Sequence, residues 1–167
     1  MIDFLREYWQ LLAFLAAAAA VLYFLSRVER KKSLPYEKRP RLLTDAELAF
    51  YRVLHSATAG DWPLFAMVRL ADLIQVKPQS GGGQTWQNKI QAKHLDFVLC
   101  DPETLEAKLA IELDDASHEK PERRTRDHFV DAALGAAGLP ILRVQCAAQY
   151  DRGALRKSIR EKLGLAT

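Results

Sequence analysis

KHLDFVLCDPETLEAKLAIELD, the stretch from Lys93 to Asp114, decides the fold of this chain. Two apolar runs, HLDFVLC and AKLAIELD, flank the turn sequence DPET, so the stretch predicts a β-hairpin centred near Thr104. The strands are apolar enough to lie in a core. They nevertheless carry acids at positions where a purely structural strand would carry neutral residues.

These acids collect at the open end of the predicted hairpin. A turn centred near Thr104 places Asp96 opposite Glu112 and His94 opposite Asp114. Because strand side chains alternate in direction, Glu112 and Asp114 share one face of the sheet. Like charges that face one another across a sheet are destabilising. The pattern therefore predicts a counter-charge, such as a bound divalent cation.

The composition fits one ordinary domain with an appendage. A chain of 167 residues leaves no room for a second catalytic domain. Its formal net charge of +3 is too mild to indicate a nucleic-acid partner by itself. Cys100 and Cys146 lie in apolar, strand-like runs without the spacing of a zinc site or a disulfide framework. We interpret them as core residues of a protein in a reducing compartment.

The N-terminal segment predicts a membrane anchor. Residues 8–25, YWQLLAFLAAAAAVLYFL, have Gln10 as their one polar interruption and are long enough to cross a bilayer as a helix. Arginine and lysine are abundant just after this segment, whereas Arg6 alone precedes it. This asymmetry predicts a single-pass protein of a bacterial-type inner membrane with its C-terminal domain in the cytoplasm. A cleaved signal peptide and a buried core helix are the alternatives.

The rest of the chain divides into a linker and a domain. We predict an anchor over residues 1–26, a basic, proline-containing linker over 27–43, and the domain over 44–167. Thr44 and Glu47 match a capping box, which predicts a helix over residues 45–57. Glu47 therefore has a structural explanation already.

The segment between this helix and the hairpin is less regular. LFAMV predicts a strand over residues 64–69, and residues 78–84 are interpreted as a loop. Its SGGGQ lacks the lysine and the following helix start of a phosphate-binding loop. Trp86 and Lys89 could face a ligand, with packing of Trp86 over the sheet edge as the alternative.

Regular elements are again predicted after the hairpin. A helix is expected over residues 121–137, followed by Gly138 as its C-terminal cap, and a short buried strand over 139–144. Asp151 is expected to cap a last, basic-surfaced helix over 152–163. The predicted fold is thus α/β, in the order helix, three strands, helix, strand, helix, preceded by one transmembrane helix.

This order, together with Asp96 on one strand and Glu112-Leu-Asp114 on the next, resembles the PD-(D/E)XK nuclease superfamily, whose members share the restriction-endonuclease-like core. ELDDASH, RTRDHF and AGLPILRV resemble more closely the DUF2726 family, which is akin to the DUF559 and Vsr-like endonucleases. The similarity covers about residues 42–147. It implies a nuclease-like domain and leaves out the anchor.

The resemblance also implies a metal centre. Asp96, Glu112 and the Leu113 carbonyl would hold Mg²⁺ or Mn²⁺, and Glu47 stands where some relatives add a first-helix acid. Oxygen ligands suit such hard cations, which activate water and neutralise charge on a phosphate. In such a site Asp114 would support the metal or a water.

Asp114 is also the departure from the family pattern, since it stands where the superfamily has a lysine. An acid cannot supply that positive charge. Candidates for a replacement are Arg126, His118 and His94, of which His118 and Arg126 would handle protons or phosphate charge.

We therefore expect a membrane-anchored, metal-dependent endonuclease that acts on DNA. Two alternatives from other classes stay open. One is a catalytically inactive nuclease-fold module that binds nucleic acid or protein at the inner membrane. The other is a structural membrane protein whose acids pair with Arg123, Arg124 and Arg126.

Overall fold

A computed structural model describes residues 2–27, 34–58, 60–78, 81–114 and 121–166, without the side chains of residues 2–5, 26–27 and 121–127. The chain forms two compact units, Met1–Pro40 and Arg41–Thr167. The first contains helix α1, Ile2–Arg27. Within it Arg6–Leu25 is 20 residues long with a mean hydropathy of 1.8, long and apolar enough to cross a membrane by length and composition.

The second unit is an α/β domain built on one mixed sheet. Its strands are β1 (Leu64–Arg69), β2 (His94–Cys100), β3 (Ala107–Asp114) and β4 (Ile141–Gln145). Its helices are α2 (Asp45–Thr58), α3 (Gly83–Gln91), α4 (Pro121–Ala137) and α5 (Arg152–Lys162), with a short 3-10 turn at Leu70–Asp72. The α/β class and the predicted order of the main elements are confirmed.

The strands lie in the order β1-β2-β3-β4. β1, β2 and β3 are antiparallel neighbours, whereas β4 runs parallel to β3. A parallel neighbour requires a crossover connection, and α4 supplies it between β3 and β4. The crossover positions β4 beside the acidic end of β3.

Both faces of the sheet are covered by apolar side chains. On one face α2 and α5 pack against the sheet through a cluster that includes Phe50, Phe97, Ile111 and Ile159. On the other face α3 and α4 pack through a second cluster that includes Ile90, Val98 and Leu134. Ile111 and Ala110 belong to different clusters, so the alternation of β3 assigns Glu112 to the Ala110 face, on the side of α4.

Local capping signals place the helix ends where the sequence predicts them. The Glu47 carboxylate accepts from the Thr44 amide at 2.7 Å, and Thr44 Oγ1 accepts from the Glu47 amide at 3.3 Å, which completes the capping box. Gly138 follows α4 with a φ of +76°, a conformation that favours glycine. Asp151 caps α5 by accepting from the Ala154 amide at 2.6 Å.

The interpretation of the segment before the hairpin is wrong in one respect. A helix, α3, begins at Gly83, within residues 78–84, for which the sequence predicts a loop. Its N-cap is Gly82, with a φ of +73° and no side-chain cap, so the usual Ser, Thr, Asp or Asn signal is missing. Because a helix does begin here, that objection to a phosphate-binding loop no longer holds. The absence of a lysine still argues against such a loop.

The closed end of the hairpin is a tight, hydrogen-bonded turn. Asp101 Oδ1 accepts from the Glu103 and Thr104 amides, each at 3.0 Å, and from Thr104 Oγ1 at 3.1 Å. These contacts hold the pKa of Asp101 below its usual value, chiefly through the Thr104 and Glu103 amides. Leu105 completes the turn with a φ of +58°. The acid at this end has a complete structural explanation.

Candidate functional site

The open end of the hairpin has the predicted register. Phe97 pairs with Ile111 and Val98 with Ala110. Continued by one residue, this register places Asp96 opposite Glu112, as predicted. Glu112 is only 9% exposed, which is unusual for an acid.

Asp96 ends the regular pairing of the two strands. Its Oδ2 accepts from the backbone amide of Leu113 at 2.8 Å. The carboxylate thereby acts as the acceptor for an amide just past the last backbone pair, Phe97 and Ile111. Leu113 thus contacts Asp96 through its amide, while the proposed use of its carbonyl as a metal ligand stays a prediction.

Asp96 also lies where the face alternation of β1 and β2 is interrupted. Phe97 packs in the α2 and α5 cluster, whereas Leu95, two residues away, packs in the α3 and α4 cluster. On β1 the change occurs at Met67, whose φ is +55°. The paired residues leave a gap at Met67 and Asp96. A left-handed backbone in a non-glycine residue is strained, so this distortion is held in place by the surrounding packing.

Arg143 is a counter-charge at this end of the sheet. It is the parallel partner of Glu112, and neighbouring paired residues project to the same face. Its guanidinium lies 3.0 Å from the Asp114 carboxylate and 2.9 Å from that of Asp131 on α4. Two acids from different elements are thus joined by one arginine whose side chain is 24% exposed.

The electrostatics agree with this geometry. Burial lowers the pKa of Arg143, but the hydrogen bond to Asp131 and the charges of Asp114, Asp131 and Glu112 outweigh it. The net result is a pKa above the ordinary value of an arginine. The guanidinium is therefore a permanent positive charge that acts on Glu112 as well as on its two hydrogen-bonded acids.

Two other predicted site residues lie elsewhere. His94 is exposed and pairs with Arg69 of β1, and the regular β2–β3 pairing ends at Phe97 and Ile111, before it reaches Asp114. Glu47 lies on α2, which packs on the opposite face of the sheet from Glu112, and its carboxylate is engaged with the Thr44 amide. The described contacts bring neither residue to Arg143 or Asp114.

The side chains of two further candidates lie outside the described part of the chain. His118 lies outside the described residues, and so does the side chain of Arg126, although its backbone belongs to α4. The side chains of Arg123 and Arg124 likewise lie outside the described residues. Across the part of the chain that the structure describes, no three His, Cys, Asp or Glu side chains are grouped closely enough to hold a metal ion.

The sequence pattern did not predict Arg143 as a site residue, because Arg143 lies outside the hairpin that carries the acids. The signal that could have found it is a cation inside ILRVQ, within the short strand predicted after the crossover helix. By contrast, the basic surface of α5 was predicted, and several of its arginines make intramolecular contacts. Arg156 bonds to Asp61 and to the Ala57 carbonyl, and Arg160 to the Ala166 carbonyl.

Fold and site define a class: an α/β domain with a four-stranded mixed sheet, joined to a helix apolar enough to span a membrane. On this sheet, among the described residues, acids and Arg143 meet at the end of a hairpin. The profile of one family, described as "Protein of unknown function (DUF2726)", matches residues 39–163. The chain belongs to this family. Neither the curated proteins nor the solved structures gave a significant match.

Proposed function

We propose that the protein is a membrane-anchored, metal-dependent nuclease that hydrolyses phosphodiester bonds in DNA, with a restriction-endonuclease-like core. The observation that supports this proposal best is the hairpin register. Continued by one residue past Phe97 and Ile111, this register sets Asp96 across from Glu112, which is only 9% exposed. Two carboxylates on neighbouring strands supply the oxygen ligands that a divalent cation prefers, and nucleases of this kind have such a pair.

The donor set fits magnesium or manganese. Mg²⁺ is commonly held by one or two carboxylates, with waters and substrate phosphates completing its octahedron. Asp96 and Glu112 would supply those carboxylates. The Leu113 amide binds one Asp96 oxygen, but a carboxylate accepts about four hydrogen bonds or metal contacts in total. When bound, the metal would lower the pKa of a water and neutralise charge on the scissile phosphate.

Arg143 supplies the positive charge that Asp114 cannot. In this proposal its guanidinium holds Asp114 and Asp131 in place and stabilises negative charge that develops near Glu112. Asp114 orients Arg143 and, through it, the end of β3. His118 and Arg126 remain proposed proton-transfer and phosphate-binding residues.

The apolar helix is the proposed anchor. Arg6–Leu25 would span an inner membrane of bacterial type once, and the basic residues that follow it would keep the domain in the cytoplasm. DNA that approaches the membrane would then be the substrate. Cysteine labelling of engineered positions on either side of the helix, in spheroplasts, tests this orientation.

Metal-dependent cleavage is the direct test. The full chain is embedded in phosphatidylcholine nanodiscs and incubated with single- and double-stranded DNA and RNA, with Mg²⁺, Mn²⁺ or EDTA. Cleavage of DNA is expected with metal and not with EDTA, and Asp96→Ala and Glu112→Gln should each reduce it to background. Glu103→Gln changes an exposed acid in the turn and is the matched control, with activity expected to stay at the wild-type level.

Folding controls make a negative result interpretable. Each variant should keep the wild-type circular dichroism spectrum and thermal midpoint to within about 5 °C, the change that roughly 1 kcal/mol would produce. DNA cleavage that Asp96→Ala and Glu112→Gln leave intact, or no cleavage of any of the four substrates, would contradict the proposal.

A second function is favoured by the Arg143 contacts. Asp114 stands in the lysine position and is already neutralised by Arg143, and one oxygen of Asp96 is bound by a backbone amide. Such contacts suit a catalytically inactive module that binds nucleic acid or protein. This alternative predicts no heat on titration with Mn²⁺ and unchanged partner binding in Asp96→Ala.

A further inference from the structure

An apolar pocket opens between α3, α4 and the segment after the 3-10 turn. Its volume is about 420 Å³, within the usual range for small-molecule sites. The lining side chains are almost all apolar, and Trp86, Phe129, Ile90 and Val76 form much of its wall. Trp86 is 44% exposed, so one aromatic wall is open to solvent. The pocket lies on the same side of the sheet as Glu112.

Two lysines stand over these aromatic walls. Lys89 Nζ lies 4.3 Å from the centroid of the Trp86 ring and 5.8 Å from that of Phe129. Lys93 Nζ lies 4.8 Å from the Phe129 centroid. Lys89 is exposed and Lys93 half-buried. Ammonium groups beside two aromatic walls of an apolar pocket suit a ligand with a flat apolar part and flanking negative charges.

A nucleotide inside a single strand has this chemistry. Its base can stack on an aromatic ring, and a phosphate lies on each side of it, which matches the two ammonium groups close to the Trp86 and Phe129 rings. A fatty acid would present one carboxylate at one end and would leave the second lysine without a role. Lys93 comes three residues before Asp96, about 10 Å at the rise of a strand. A strand held in the pocket would therefore reach the proposed metal site within a few nucleotides.

We infer that the pocket between Trp86 and Phe129 binds one unpaired nucleobase of single-stranded DNA, while Lys89 and Lys93 bind the adjacent phosphates. The inference rests on the proposed nuclease function and specifies its substrate as a single strand or a frayed end. It gives Trp86 the ligand-facing role that the sequence left open against packing.

The test measures binding without cleavage. The full chain in phosphatidylcholine nanodiscs is titrated in EDTA against a fluorescently labelled single-stranded DNA 12-mer and its duplex, and anisotropy is recorded. The single strand should bind more tightly than the duplex. Trp86→Ala should raise Kd about 5- to 150-fold, the value of one stacked base, whereas Trp86→Phe should retain most of the affinity because it keeps an aromatic face.

The lysines have a separate readout. Lys89→Ala and Lys93→Ala should each reduce the slope of log K against log salt by about 0.7, the value for one phosphate contact on a single strand. Lys157→Ala removes an exposed lysine of α5 and should leave slope and affinity unchanged. Asp96→Asn should keep the 12-mer affinity, so loss of cleavage and loss of strand binding can be told apart.

Several outcomes would overturn the inference. These are equal Kd values for wild type and Trp86→Ala, equal affinity for duplex and single strand, or salt slopes that neither lysine variant changes. Displacement of the 12-mer by oleate with no dependence on Trp86 would also contradict it. Tighter binding of oleate than of the 12-mer, lost in Trp86→Ala, would instead assign the pocket to an anionic lipid.

Discussion

The two ends of the β2–β3 hairpin use the same kind of residue in different ways. At the closed end, Asp101 is partly exposed, and its Oδ1 accepts from two amides and a hydroxyl of the next three residues. At the open end, Glu112 is almost buried, and Arg143 is its partner from a strand 31 positions later in the chain. One end is a local turn, and the other is an assembly of distant segments.

This difference separates structural acids from candidate functional ones. A carboxylate that only needs to hold a turn can remain in water, where its charge costs little. An acid that is nearly buried beside an arginine, as Glu112 is, carries a desolvation cost, which a fold would avoid unless the charge were useful. The contrast therefore supports the open end, and not the turn, as the candidate site.

The largest expected effect is at the open end, from Arg143→Met. The change removes both ion pairs and leaves Asp114 and Asp131 without their hydrogen-bonded partner. We expect a loss of about 1.5–3 kcal/mol in the free energy of unfolding, the usual range for hydrogen bonds to charged groups. Urea unfolding of the nanodisc-embedded chain, followed by tryptophan fluorescence, measures it.

Arg152→Met is the matched control for that loss. Arg152 is exposed and donates to Ser56 Oγ at 3.3 Å, so its removal should change stability by less than about 0.5 kcal/mol. A double-mutant cycle with Asp114→Asn isolates the pair. No coupling between Arg143 and Asp114 would show that the open end is no more interdependent than a solvated surface.

At the closed end, Asp101→Ala should lower the thermal midpoint by a few degrees, on the order of what one capping interaction contributes in a domain of this size. The turn amides of Glu103 and Thr104 lose their acceptor, and DNA cleavage should stay at the wild-type level. Differential scanning fluorimetry and the cleavage assay give the two readouts. A loss of activity without a loss of stability would reverse the contrast between the two ends.

The same division explains what the sequence could predict. The hairpin register followed from DPET and the apolar alternation, and the capping box of Thr44 and Glu47 from residues three apart. Such signals lie within a few residues of what they determine. The helix α3 was missed because it starts from a glycine without a side-chain cap.

Long-range features of the site had no local signal. The parallel pairing that sets Arg143 beside Glu112 depends on the crossover through α4, which sequence periodicity does not fix. Nothing in the side chain of Met67 favours a φ of +55°, so the interruption beside Asp96 comes from the packing of two clusters. The acids were therefore predictable, and their cation was not.

The turn should also carry a pH dependence. The folded pKa of Asp101 is lowered, so its contribution to stability is present above the pKa of the unfolded chain and is lost as pH falls through the folded pKa. The difference in midpoint between wild type and Asp101→Asn should therefore shrink below about pH 4, where the unfolded carboxyl protonates. Thermal melts between pH 7 and pH 2.5 measure it. Glu103→Gln, an exposed neighbour, should not reproduce the trend, and a difference that stayed constant over this range would contradict it.

The smallest effect comes from Leu105→Gly in the turn. Leu105 has a φ of +58° and is 57% exposed, so glycine relieves backbone strain and removes little packing. Removing the backbone strain should stabilise the fold by about 1–2 kcal/mol. Glycine also makes the unfolded chain more flexible, which costs stability, so the net gain in the free energy of unfolding should be about 0.5 kcal/mol. Chemical denaturation measures it.

Met67→Gly is the matched change at the open end, because Met67 has nearly the same φ, +55°, but is half-buried. Relief of strain is there opposed by the loss of apolar contacts, so we expect a net loss of stability. It should also lower DNA cleavage if the distortion positions Asp96. If Met67→Gly instead raised the free energy of unfolding as much as Leu105→Gly and left DNA cleavage unchanged, the strain at Met67 would have no role in positioning Asp96.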